Sequence, residues 1–262
     1  MADLLLVGIV ALGASALTLF SGFGLGTLLM PVLALLFPVP VAVAATAVVH
    51  LANNLFKLVL VGRYANAQVV LRFGLTAAIA AFCGALLLLQ LASAPALFDY
   101  QLYGNAYKVE AVQFVIGWLI IVFAFLELSP RVARLAIPQQ YLPLGGLISG
   151  FFGGLSGNQG ALRAAFLIRA GLDKNGFVGT GVVCSVIVDA MRIAVYGTAF
   201  FGSGTVLLDE NLQSTVLVAI LAAFAGAFLG VRLLQKVTLR FVQLTVAWLM
   251  LLIGAGLASG VI

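Results

Sequence analysis

Four polar residues stand together in an otherwise oily stretch. Between VPVAVAATAVV and LVLVG the chain reads HLANNLFK, residues 50–57. His50, Asn53 or Asn54, and Lys57 are spaced to share one face of a helix. Further on, SVIVDAMR repeats the pattern with Ser185, Asp189 and Arg192. Ionisable groups inside an apolar segment are costly, and by default they mark a substrate or ion pathway. Both faces are therefore predicted to line a hydrophilic path. Plainer alternatives exist: Lys57 snorkelling to a headgroup layer, and Asp189 pairing only with Arg192 at i+3. Histidine ordinarily titrates near neutral pH, so His50 suits proton-coupled transport; a neutral, hydrogen-bonding imidazole is the other reading. Coupling or gating is assigned to His50, Asp189 and Ser185.

A second constellation is SGNQGALR, residues 156–163. It sets Asn158, Gln159 and Arg163 at a helix start, where free N–H groups and the positive dipole end favour an anion. The arginine fork suits oxyanions. Glycines alone would point to close helix packing instead. The first-half counterpart, SGFGLGT, offers Ser21 and Thr27 but no cation. The expected anion contacts are Ser21, Asn53, Asn54, Lys57, Asn158, Gln159, Arg163 and Arg192. Lys57 and Arg192 are expected on opposite sides of the midplane, serving one ligand or two stations. No metal-ligand spacing and no cofactor motif are seen. His50 and Ser185 formally make a Ser/His pair, but nothing beside Ser185 activates a serine. An enzyme is not expected.

The elements that must position these residues are apolar helices. The chain has 262 residues, 64% of them hydrophobic and 8% charged, with mean hydropathy +1.23. Soluble domains carry about a quarter charged residues, so an all-α polytopic membrane protein is predicted. Helical segments are expected at 3–20, 25–37, 39–62, 71–92, 111–128, 141–155, 161–171, 176–198, 212–234 and 239–259. Segments 25–37 and 161–171 are too short to span a bilayer. Each follows a glycine-rich stretch, so each is read as half of a broken, re-entrant pair. The start of the chain lacks a basic region, which argues against a cleaved signal peptide. Cys83 and Cys184 stand alone in apolar segments and are read as packed side chains. The net charge of +5 comes from arginines and lysines between apolar runs, as the positive-inside rule wants, and does not indicate nucleic acid.

An offset of 135 residues lays Ser21-Gly22 on Ser156-Gly157, Asn54 on Asp189, Lys57 on Arg192 and Gly62 on Gly197. Arg63, Arg72, Arg131, Arg134, Arg232, Lys236 and Arg240 fall on one side only if both broken pairs return to the side they entered. The prediction is two inverted repeats, 1–128 and 129–262, forming one transport domain. Each repeat is a broken helix pair followed by three membrane-spanning helices. Both termini are expected outside. Inverted repeats with discontinuous helices are a recurring plan of secondary transporters.

The stretches SGFGLGTLLMPVLALLF and SGFFGGLSGNQGALRAAFLIRAGL resemble the paired glycine-rich signatures of the TauE/SafE sulfite exporter family, over nearly the whole chain. The resemblance implies a transporter of sulfite, sulfonates or related small anions, in a bacterial inner membrane. Phe166 stands where Pro31 stands in the first half, a departure from the family pattern. Residues and resemblance together predict a secondary transporter of a small anion working by alternating access. The rival readings are an anion channel without coupling and a non-transporting membrane scaffold. Expected partners are the small anion, protons if transport is coupled to them, and membrane lipid, with the oligomeric state left open.

Overall fold

The computed structural model describes residues 1–21, 25–129, 135–202, 210–233 and 239–262; within these, the side chains of 17–21, 200–202, 230–233, 239–243 and 245 lie outside the description. Ten helices occur among the described residues: α1 (Ala2–Ser21), α2 (Leu25–Ala34), α3 (Val39–Val61), α4 (Ala67–Ala92), α5 (Ala111–Leu128), α6 (Leu142–Ser156), α7 (Gly160–Leu167), α8 (Lys174–Gly202), α9 (Glu210–Leu233) and α10 (Leu239–Ala258). Five are long and apolar enough to cross a membrane: α3, α4, α5, α8 and α9. The protein is a mostly helical, polytopic membrane protein.

It is not all-α. The segment after α4, expected as a plain loop, folds into an antiparallel hairpin of β1 (Ala96–Leu102) and β2 (Asn105–Glu110). Tyr103 and Gly104 form its tip, both with positive φ, at 50° and 82°. That is the two-residue turn whose twist matches paired strands. Asp99 faces Lys108 across the pair. Glu110 then closes a capping box with Gln113 at the start of α5.

Four helix pairs build the bundle: α1 with α9, α4 with α6, α5 with α10, and α3 with α8. The directions follow from which residues touch. Gly146 abuts Phe73 and Ala77, Gly150 abuts Ala77, and Gly154 abuts Ala81, so α6 runs parallel to α4. A side chain at any of these three glycines would strike the α4 backbone; small residues let membrane helices approach this closely. Gly8 lies against Val218 and Gly226 against Leu12, so α1 is parallel to α9. Gln113 donates to the Ile262 carbonyl at 3.0 Å, and Gly117 meets Ala258, so α5 and α10 are antiparallel. Along α3 and α8, Val61 meets Gly179 near one end, while Asn54 meets Asp189 further in. That pair is also antiparallel.

The buried apolar residues form two clusters. The larger draws most of its residues from α1, α2, α3, α5, α9 and α10; the smaller, with Phe73, Ala77, Leu142, Phe166 and Val188, is built from α4, α6, α7 and α8. Phe166, the residue at the place of Pro31, is buried there against Gly145. Between these apolar regions runs a string of buried polar side chains.

Candidate functional site

The α3–α8 crossing carries the centre of that string. His50, Asn53, Asn54 and Lys57 on α3 are buried, as are Ser185, Asp189 and Arg192 on α8. Asp189 is the hub. Its Oδ2 lies 2.7 Å from His50 Nδ1 and accepts from Asn54 Nδ2 at 2.9 Å. Its Oδ1 lies 2.8 Å from Arg192 Nη2. With the carboxylate ionised beside the guanidinium, His50 Nδ1 carries the proton and donates to Asp189. The 3.2 Å approach of Asn54 Nδ2 to the same imidazole nitrogen is then donor against donor.

Arg192 is fully buried. Its Nη1 donates to the Gly153 carbonyl at 3.4 Å. The ion pair with Asp189 is close, but it is out of line for a hydrogen bond, and Arg192 Nε and Nη2 make none among the described residues. Gly157, at the end of α6, has φ +82°, and a Cβ there would stand 2.7 Å from Arg192 Nη1. Glycine answers both demands: the left-handed conformation and the room for the guanidinium. One turn beyond Arg192, the Tyr196 hydroxyl donates to the Gly154 carbonyl.

On the other side of the hub, Arg163 Nη1 donates to Ser185 Oγ at 2.5 Å, and Ser185 Oγ donates on to the Gly181 carbonyl at 3.1 Å. Lys57, 5% exposed, is within electrostatic range of Arg163 and of His50. Since α3 and α8 are antiparallel, Lys57 and Ser185 lie on the same side of Asp189. Arg192 lies on the opposite side.

The turn between α6 and α7 completes the site. Helix α7 begins at Gly160, with Gln159 as its N-cap and no side-chain cap. The Gln159 carbonyl accepts from Ser149 Oγ at 3.2 Å, and Asn158 N donates to Ser156 Oγ at 3.4 Å. The backbone of the turn is thus held, but its two amide side chains are not. Asn158 and Gln159 are each 2% exposed, and among the described residues neither end of either amide has a hydrogen-bond partner. The Gln159 side chain lies against Gly153, and the Gly157 carbonyl lies near Gly26 at the start of α2.

Of the residues singled out in the sequence, His50, Asn53, Asn54, Lys57, Asn158, Gln159, Ser185, Asp189 and Arg192 are all buried. Asn53 stands slightly apart, with Oδ1 accepting from Ser15 Oγ at 3.1 Å. The Ser21 side chain lies outside the described residues. Sequence reasoning missed Ser15, Ser149 and Tyr196. Tyr196 had a signal, since it continues the 185–189–192 face by one more turn. Ser15 and Ser149 had none, because a lone serine in an apolar helix commonly bonds its own backbone.

A polytopic helical protein whose apolar clusters flank a string of buried polar and cationic side chains falls in the class of membrane transport proteins. The model of the family described as "Sulfite exporter TauE/SafE" matches residues 7–257, and the chain belongs to that family. Its members are transporters rather than enzymes, and membership implies anion transport across a membrane. A search of curated proteins gave no significant match.

Proposed function

We propose that the protein is a secondary transporter for a small sulfur-containing anion, sulfite or an organosulfonate, working by alternating access. The observation that carries this reading is the buried turn at Asn158 and Gln159, with Arg192 against Gly157 and Arg163 one helical turn beyond Gln159. The three cations attract the anion, and one carboxylate leaves the site net positive. Asn53, Asn54, Asn158 and Gln159 replace hydration bonds, with Ser21 as the first-half counterpart of Ser156. His50, Asp189 and Ser185 couple or gate, and protons are the coupling ion.

Alternating access rests on two inverted halves, 1–128 and 129–262. Helix pairing supports that division. Under the 135-residue offset, α1 corresponds to α6 and α4 to α9, so α1–α9 and α6–α4 are the same pair with the halves exchanged; both are parallel. The self-paired helices, α3 with α8 and α5 with α10, are antiparallel, as a two-fold axis in the membrane plane requires. Asn54 and Asp189 occupy equivalent positions and touch. On this plan α1–α2 and α6–α7 are broken hairpins entering from opposite faces, and both termini lie outside a bacterial inner membrane.

Two measurements bear on the reading. Labelled sulfite is expected to accumulate in proteoliposomes against its own gradient when a pH gradient is imposed. Uptake that only equilibrates would make the protein a channel, and no uptake of any anion would leave a scaffold. A cysteine introduced at Lys236 is expected to react with an impermeant maleimide from the cytoplasmic side alone; reaction from the outside would overturn the inverted topology.

A further inference from the structure

The unpartnered amides at the turn say something about the ligand's own hydrogens. Asn158 and Gln159 each present an NH2 donor group and an acceptor oxygen, both buried and unpaired among the described residues. Arg192 Nε adds a further unpaired donor close by. Rotating either amide by 180° exchanges its ends but always leaves one acceptor, so the point does not depend on which end is oxygen. A fully deprotonated oxyanion offers acceptors only. It would satisfy the donors and leave two buried amide oxygens facing its own oxygens. Buried acceptors left without a donor weaken binding.

We infer that the site selects a small monoanion that itself carries a hydrogen-bond donor, either a proton on one of its oxygens or a hydroxyl or amino substituent. This deepens the proposed anion site and presupposes it. The negative oxygens would face Arg192 and the amide NH2 groups, and the ligand's donor would meet Asn158 Oδ1 or Gln159 Oε1. A dianion of the same size would be the poorer ligand, although the site is net positive. Sites built to bond a ligand's donor discriminate strongly against analogues that lack it.

The test uses matched pairs, titrated calorimetrically into the purified protein at one mildly acidic pH. One arm sets 2-hydroxyethanesulfonate against ethanesulfonate, where the donor is on a substituent. The other sets methylphosphonate, as its monoanion, against methanesulfonate, where the donor is on the anionic group. Within at least one arm the donor-bearing member is expected to bind about tenfold tighter or better, and the arm that responds names the source of the donor. Asn158→Leu or Gln159→Met is expected to shrink that preference to about twofold. Removing an unpaired buried amide is also expected to leave the ligand-free melting temperature no lower than wild type. Equal affinities in both arms, or a preference that survives both substitutions, would overturn the inference. Sulfite in the same titration separates the failures: if sulfite binds but no pair discriminates, only the donor requirement falls. If nothing binds, the anion site falls and this inference with it.

Discussion

Replacing Asp189 with asparagine is expected to cost about 3–5 kcal/mol of stability. The substitution barely changes volume. It removes the one charge beside Arg192, a guanidinium with no exposed surface. A buried ion pair adds little over an apolar pair of the same size, but breaking it leaves an uncompensated charge in a medium that solvates it poorly. His50 and Asn54 lose their shared ionised acceptor as well. Unfolding in mild detergent titrated with a denaturing detergent reads the loss. The decisive control is Asp189→Asn with Arg192→Leu, where the double variant is expected to regain most of the lost stability. If the single variant stays within about 0.5 kcal/mol of wild type, Arg192 has water or another compensating group, and the hub is not a dry ion pair. Strong coupling in the cycle would mean that Asp189 and Arg192 act as one unit within α8.

Arg163→Gln is expected to weaken sulfite binding by roughly ten- to a hundredfold, the worth of a hydrogen bond to a charged group. Arg163 spends one Nη on Ser185 Oγ, and its guanidinium lies within electrostatic range of the buried Lys57. Arg163→Lys is expected to recover part of the affinity, since it returns the charge without the planar fork. Full sulfite affinity in Arg163→Gln would reduce Arg163 to a structural strut for Ser185. The anion would then have to be held by Arg192 and the turn alone.

Much of this architecture is written locally in the chain. The helices follow from apolar length, and the two breaks follow from SGFGLG and GGLSGNQG, where glycine lets the chain turn. The faces holding His50 to Lys57 and Ser185 to Arg192 follow from helical spacing. Two local features were not legible. The β1–β2 hairpin is short and its strands show no clean alternation of polar and apolar residues, so only Tyr103-Gly104 hints at a turn. The Ala67–Val69 start of α4 joins the rest of the helix through a π-turn at Val70–Gly74, which apolar periodicity does not report.

The sequence by itself determined that the protein resides in a membrane, that its few internal charges turn to a common interior, and which family it joins. A helix's composition and period decide the first two without reference to any neighbour, and the paired glycine-rich stretches carry the third. Only the tertiary structure decided the partners. Periodicity orients a face but cannot say what stands opposite. That Asp189 meets His50 and Asn54, 139 and 135 residues away, depends on α3 crossing α8 antiparallel. That Arg192 reaches the turn depends on Gly157 leaving room for its guanidinium, and that Asn158 and Gln159 keep both amide ends unpaired among the described residues depends on what packs around the turn. Burial and partnership are properties of packing, and packing is set by all the helices at once.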